Sequence, residues 1–264
     1  MPIAPILVFD FETVPDVAGL RRAYDAPREL ADAPLLEWFM QRRRAQSGSD
    51  FMPHHLQRIV AIACALRDGG TIKIASVGTP EDSEPELIRR FFDLIDKHTP
   101  QLVSWNGGGF DLPVLHHRAL VHGVTGSKYW DWGDDDRDFR YNSYLGRYHT
   151  RHIDLMDVLA MYQPRANAGL DAMSRLCGFP GKLGLDGAEV HAAVSAGRLD
   201  DVRRYCETDV MNTYLLYQRF RLMRGEIAAG DYAKEMSLAR ERIAATSAPH
   251  WAQFLAAWDA RAGS

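Results

Sequence analysis

Three short stretches of the chain carry carboxylates at spacings that suit a hard divalent cation. The first is Asp10-Phe11-Glu12, at the end of the apolar run Ile6-Leu7-Val8-Phe9. Side chains at i and i+2 of a strand share a face, so both carboxylates can reach one ion. Mg²⁺ and Mn²⁺ take oxygen ligands, which is why acids rather than His or Cys would serve. An Asp-x-Glu alone is a weak signal, because a strand end with two solvated acids reads the same. The apolar strand feeding directly into the pair argues for acids delivered to a sheet end.

The second stretch is Asn106-Gly107-Gly108-Gly109-Phe110-Asp111, between a strand-like and a helix-like segment. Its glycines permit close approach of a ligand to the backbone. Asp111 falls near a helix start, where an acid also serves as a cap or complements the helix dipole. The third is Tyr205-Cys206-Glu207-Thr208-Asp209. Tyr205 and Asp209 are i and i+4 on a helix, so phenol and carboxylate stand one turn apart on the same face. Glu207 points elsewhere, as a solvated or structural acid. Taken singly, each of these is an ordinary feature of a helix.

The elements that must position these groups are visible as hydrophobic patterns. Ile6 to Phe9 reads as a buried strand. Ile59 to Leu66 and Thr71 to Val77, separated by Asp68-Gly69-Gly70, read as a hairpin. Helical spacing runs from Pro85 to about His98, from Asp111 to about His122, and over 156–162, 170–177 and 199–223. Gln101 to Trp105 forms another short strand. Strands come early and alternate with helices later, which predicts an α/β fold with a mixed sheet flanked by helices. Residues 16–52, 126–151 and 228–264 read as additions, the last as a C-terminal helical extension. With no internal repeat or low-complexity linker, a single domain over 1–264 is expected, its core at about 5–225 and appended helices at about 228–264.

The 264 residues are 46% hydrophobic and 25% charged, the balance of an ordinary globular protein. The longest strongly apolar run, Ile59 to Leu66, is too short to span a bilayer, so no membrane association is expected. The N-terminus lacks a basic region before its apolar stretch and does not read as a signal peptide. Three widely spaced cysteines, Cys64, Cys177 and Cys206, suggest neither a zinc cluster nor a disulfide framework and fit a reducing cytoplasm. A net charge of −4 argues against non-specific binding to long duplexes. It does not exclude a protein that grips a few nucleotides, because bound cations would offset the site's own carboxylates.

In order, the three stretches give Asp-x-Glu-Thr on a first strand, Asn-x3-Phe-Asp before a helix, and Tyr-x3-Asp on a late helix. This arrangement resembles the DEDD (DnaQ-like) superfamily of 3′→5′ exonucleases over roughly residues 5 to 225. The tyrosine subgroup is the match, because the histidine subgroup's position is taken by Arg204. Within it, the likeness is to stand-alone exonucleases related to the proofreading domain of family-B DNA polymerases. The resemblance implies a ribonuclease-H-like fold and two divalent cations, Mg²⁺ or Mn²⁺, ~3.5–4 Å apart. It assigns Asp10, Glu12 and Asp209 to one cation, with Asp10 bridging to a second and Asp111 acting mostly through water. Tyr205 would orient the attacking water, since a phenol is a poor base near neutral pH. Thr13 and Asn106 match positions that grip the terminal nucleotide, and Phe110 matches an aromatic that packs on the end bases.

The expected partner is therefore a nucleic acid with a 3′ end, single-stranded DNA before RNA, and no obligate protein partner is visible. An exoribonuclease, or a non-catalytic nucleic-acid-binding module, is the alternative. Lys182, in Gly181-Lys182-Leu183-Gly184, is a candidate phosphate contact or a solvated loop lysine. The pairs His54-His55 and His116-His117 do not have metal-site spacing. Asp154 and Asp157 belong to a strand–helix junction, Arg42-Arg43-Arg44 to a solvated face or a phosphate-steering patch. Trp130 and Trp132 are core or flap.

Overall fold

The structure, a computed structural model, describes residues 5–24, 26–27, 29–49 and 51–262. Its centre is strand β1 (Ile6–Pro15), flanked by β2 (Gln57–Asp68) and β4 (Gln101–Ser104), with β3 (Thr71–Ser76) and β5 (His152–Asp154) outermost, in the order β3-β2-β1-β4-β5. β1, β2 and β3 pair antiparallel, whereas β4 and β5 run parallel to β1. The mixed α/β sheet with helices on both faces is the ribonuclease-H-like architecture that the resemblance implies.

Alternation along β1 divides the core. Leu7, Phe9 and Phe11 pack with α3 (Glu84–His98) and α4 (Asp111–His122) on one face. Ile6 and Val8 pack with α8 (Leu199–Met223) on the other. Asp10 and Glu12 continue the second face. α3 starts with a Ser83/Glu86 capping box and Pro85, and stops at Thr99 in a left-handed conformation. The 3.6-residue period of Leu87, Ile88, Phe91, Phe92 and Ile95 turns one apolar stripe onto the sheet.

The register of β1 on β2 slips between Glu12 and Thr13, where Ala61 and Ile59 are the partners and Val60 is the extra residue. Adjacent Val60 and Ala61 both pack in the cluster around Tyr205, which regular alternation would not allow.

The expected hairpin and the helices at Glu84–His98, Asp111–His122 and Leu199–Met223 are found. Two features differ from the hydrophobic pattern. The helix expected over 156–162 is α5 (Leu155–Leu159), and Met161 and Tyr162 that follow are both left-handed. Residues 16–52 contain α1 (Val17–Ala23) and a long helix, α2 (Asp32–Ser47), around a satellite core of Leu20, Leu35, Leu36, Phe39, Met52 and Leu56. Beyond α5 come α6 (Leu170–Leu176) and α7 (Val190–Ser195). The C-terminal extension forms α9 (Ala229–Ala244) and α10 (Pro249–Ala262), which pack on α8 and β3. The 126–151 segment is largely irregular, with Trp130 and Trp132 exposed on its surface. Among the described residues no helix is long and apolar enough to cross a membrane.

Candidate active site

Four carboxylates converge from three elements. β1 supplies Asp10 and Glu12, the start of α4 supplies Asp111, and the middle of α8 supplies Asp209. Asp111 does not cap its own helix by side chain. Its Oδ1 instead accepts the backbone N–H of Phe11 at 2.8 Å, which ties it between Asp10 and Glu12. Glu12, Asp111 and Asp209 are buried.

The loop that carries Asp111 is built around Asp154, the last residue of β5. One carboxylate oxygen of Asp154 accepts the Asn106 N–H at 2.9 Å and the other accepts the Gly108 N–H at 2.8 Å. The same side chain caps α5 through Met156 and Asp157. This is the strand–helix junction expected there, with Asp154 as the post that fixes the glycine loop. Asn106 takes a left-handed conformation, φ 67°. A Cβ on Gly109 would lie 2.5 Å from its Oδ1, and one on Gly107 2.4 Å from Ser104 Oγ, so neither glycine can gain a side chain without rearrangement.

Burial and mutual repulsion dominate the electrostatics. The Asp10 carboxyl is pushed well above its ordinary value by burial and then by the charges of Asp111 and Asp209. Glu12 is raised by burial and then by Asp10. Burial lifts Asp111 to about 7, against the pull of the Phe11 N–H. Asp209 is raised by burial, with Lys182 opposing.

Lys182 stands at the site with its side chain still 36% exposed. Its Nζ lies 2.9 Å from Asp209 Oδ2 and donates to the Tyr205 hydroxyl at 2.5 Å. Burial pulls this ammonium down, but Asp209, Asp10 and Glu12 outweigh it and hold it charged. The Tyr205 phenol is driven above its ordinary value by burial, then by Asp209 and Glu12, and stays protonated.

The other expected contacts divide. The Thr13 hydroxyl donates to Gln57 Oε1 at 3.0 Å, one residue beyond the acids. Phe110 is half-buried against the α3/α4 face of the core, and its ring lies 5.8 Å from Phe51 and 5.5 Å from His54. Glu207 is structural, accepting Ser76 N–H and hydroxyl and facing His250. Arg204 pairs with Asp201 on the helix surface.

One residue at the site is not among those the sequence motifs single out. Cys206 Sγ lies 3.3 Å from the Asp10 carbonyl and 3.5 Å from its Oδ2. Among the described residues, Asp10, Glu12 and Cys206 form the one group of three or more whose potential ligand atoms all lie within 4.8 Å of one another. A signal for it exists in the spacing, since Cys206 and Asp209 are i and i+3 and share a helix face.

The residues suit a hard cation. Four carboxylates meet one ammonium, and Asp209 Oδ1 is buried without a hydrogen-bond partner. A buried carboxylate oxygen with no donor is costly unless a cation satisfies it.

Sheet order and carboxylate placement define a class, α/β proteins of ribonuclease-H-like form whose acids gather midway along the central strand. That strand runs on to Pro15 instead of ending at the acids as its apolar run suggests. Residues 49–258 match the family described as "Predicted 3'-5' exonuclease related to the exonuclease domain of PolB", and the chain belongs to that family. β1 with Asp10 and Glu12 precedes the matched stretch. The chain is 25% identical over 161 residues to a DNA polymerase epsilon catalytic subunit of Arabidopsis thaliana, covering 57% of this chain and 7% of that protein. It is 26% identical over 147 residues to the DNA polymerase epsilon catalytic subunit of Saccharomyces cerevisiae, covering 53% of this chain and 6% of that one. It thus spans less than a tenth of these relatives. The fold is similar to the family B DNA polymerase of Pyrobaculum calidifontis, with a TM-score of 0.50 and 20% identity over 84% of this chain and 25% of that one.

Proposed function

We propose that the protein removes nucleotides one at a time from the 3′ end of single-stranded or frayed nucleic acid, DNA in preference to RNA, with two divalent cations. The observation that carries this reading is the gathering of Asp10, Glu12, Asp111 and Asp209 beside a protonated Tyr205. Asp10, Glu12 and Asp209 would hold one Mg²⁺ or Mn²⁺, and Asp10 with Asp111 the other. Such ions polarise the phosphodiester and make water a competent nucleophile near neutral pH.

The chain's own groups orient and hold. Tyr205 donates its hydroxyl proton to the attacking water as a hydrogen bond and sets its line of approach. Water adds to phosphorus while the bond to the preceding 3′ oxygen breaks, releasing a mononucleotide and leaving a shortened 3′ end. Lys182, 2.9 Å from Asp209, would offer its ammonium to a phosphate oxygen beside that carboxylate. Asn106 and Thr13 grip the terminal nucleotide. Phe110, extended by Phe51 and His54, offers an aromatic face on which an unpaired base of any identity can lie. The names of the polymerase relatives support DNA, and three free thiols suit a reducing cytoplasm.

The test uses 3′- and 5′-labelled DNA and RNA oligomers, single-stranded and duplex, with Mg²⁺, Mn²⁺ or EDTA. Stepwise shortening from the 3′ end that EDTA abolishes is expected, fastest on single-stranded DNA. Faster loss of RNA would reassign the substrate. Equal cleavage of blunt duplex and single strand would remove the fraying argument, and activity in EDTA would remove the cations.

A further inference from the structure

A cavity of about 630 Å³ lies apart from the four acids. It lies on the other side of the glycine loop, between Asn106 to Gly109, the 144–150 segment and the chain that follows α5. Its volume is within the ~300–1,000 Å³ range of small-ligand clefts. Three observations say what it would take.

First, the backbone is bent at a steric cost to shape it. Among the described residues four non-glycines have positive φ, and Asn106 and Tyr162 line this cavity while Met161 directly precedes it. Consecutive left-handed residues with side chains are rare, and such conformations concentrate where a ligand is held. Here they terminate α5 early and turn the Tyr162 ring into the cavity wall.

Second, that ring belongs to an aromatic and cationic slot. Tyr148 meets Tyr162 edge-on at 5.2 Å, and the Arg147 guanidinium lies 5.0 Å over the Tyr162 ring and 3.8 Å from Asp157, which also lines the cavity. Tyr148 is 76% exposed, so its ring is not held there by the core. Arg224 stands at the same cavity. Flat apolar faces flanked by guanidinium groups fit a nucleobase with its phosphate.

Third, the inner wall offers neutral hydrogen-bonding groups. Burial holds the imidazoles of His116 and His152 down to about 4, so they meet a base edge uncharged. His152 pairs with Ser104 and His116 with the Tyr129 hydroxyl.

We infer that this cavity is a second nucleotide subsite, which takes an unpaired base from the strand preceding the terminal nucleotide. The assignment rests on the exonuclease reading for the strand's direction, since the loop that walls the cavity leads within two residues to Asp111. A base in the cavity must be unstacked and unpaired, so the subsite extends the requirement for single strand inward from the end. A free mononucleotide has the same chemistry, and the experiment separates the two.

The experiment uses oligothymidylates about a dozen residues long, each carrying one thiothymidine, at the 3′ terminus or at a successive inner position. Photo-crosslinked peptides are mapped, and hydrolysis of the same oligomers is followed in parallel. An inner base, not the terminal one, is expected to crosslink to peptides spanning 144–164. Tyr148→Ala should narrow the binding preference for the long oligomer over a dinucleotide by about tenfold, the value of one stacked base. Because Tyr148 is exposed, an unchanged melting temperature will separate this from misfolding.

Hydrolysis without any crosslink to 144–164 would overturn the subsite and leave the exonuclease standing. Crosslinks without hydrolysis would overturn the exonuclease alone. Crosslinks abolished by stoichiometric thymidine monophosphate would overturn the strand assignment in favour of a free-nucleotide site.

Discussion

Two groups of carboxylates, one gathered around Asp10 and Glu12 of β1 and one around Asp16 just beyond it, are treated differently. Asp16, one residue beyond β1, caps α1 and accepts the Gly19 N–H at 2.8 Å. Its other oxygen meets Arg118 at 2.6 Å, and the same guanidinium grips both oxygens of Glu84 at 2.6 and 2.8 Å. Glu84 also accepts Ile59 N–H and faces His122. Burial pulls the Asp16 carboxyl up, but Gly19 and Arg118 outweigh it and hold it below the ordinary range. At Asp10, Glu12, Asp111 and Asp209 the same balance runs the other way. Three acids are raised well clear of their ordinary values by burial with little to offset it, and one oxygen of Asp209 has no donor. An acid cluster that is completed by arginine and backbone donors is a joint. One that is left incomplete is the kind that the proposed cations would complete.

The largest effect should come from the incomplete cluster. Asp10→Ala is expected to lower turnover by more than ~10⁴-fold, above about 5 kcal/mol of transition-state stabilisation. The metal-free melting temperature should not fall, because a repelling charge has been removed. Near wild-type hydrolysis by this variant would dissolve the distinction between the clusters.

The converse pattern is expected at the joint. Arg118→Met leaves Asp16 and Glu84 buried without their cation and should cost ~3–5 kcal/mol by denaturant unfolding. Turnover per folded molecule should be unchanged. A variant that unfolds no more easily than wild type would mean that the paired cluster contributes no net stability.

A smaller loss is expected for Tyr205→Phe, which removes one hydroxyl and keeps the ring. Under conditions where chemistry limits the rate, kcat should fall by ~10²-fold with substrate affinity little changed. Unchanged kcat would reduce Tyr205 to packing and a partner for Lys182.

The smallest and most diagnostic effect is on pH. Asp111 has a folded value of about 7 against an ordinary 3.8, so the folded chain binds this proton more tightly than the unfolded one. Its contribution to stability is greatest below about pH 4 and is lost as pH rises to about 7. Asp16, held low, behaves oppositely, and its contribution vanishes as pH falls through its folded value. Metal-free protein should therefore lose stability between about pH 5 and 7. Mg²⁺ at ten times its Kd should restore about 1.4 kcal/mol at the upper end. A flat metal-free profile with no response to Mg²⁺ would count against a cation receptor.

Much of this is legible in short-range pattern. Asp10 and Glu12 share a face because strand alternation has period two, and Tyr205 and Asp209 because a helix repeats every 3.6 residues. Asp111 and Asp209 stand out through the order of three motifs, since either alone reads as a helix acid. Lys182 cannot be assigned in this way. Its loop is separated from Asp209 by α7 and the first turns of α8, and only their packing brings Nζ to the carboxylate. α2 does not show in the pattern because Leu35, Leu36 and Phe39 bury into a satellite core and leave the rest of a polar helix without a continuous stripe. Tyr162 reads as part of α5 because its neighbours keep helical spacing, and the left-handed turn is set by tertiary contacts that periodicity does not report.

The hydrogen bond from Cys206 to Asp10 spans 196 positions, and that distance dictates when the site can exist. The β2/β3 hairpin, and the Arg118 joint that links Asp16, Glu84 and α4, all lie within the first 122 residues. They can assemble while the remainder of the chain is still being synthesised. α8 arrives much later, and until it docks, the Ile6 and Val8 face of β1 is bare and the fourth carboxylate is absent. Until then the site lacks one of its four acids. Over that same interval the nascent chain carries an uncovered apolar sheet face.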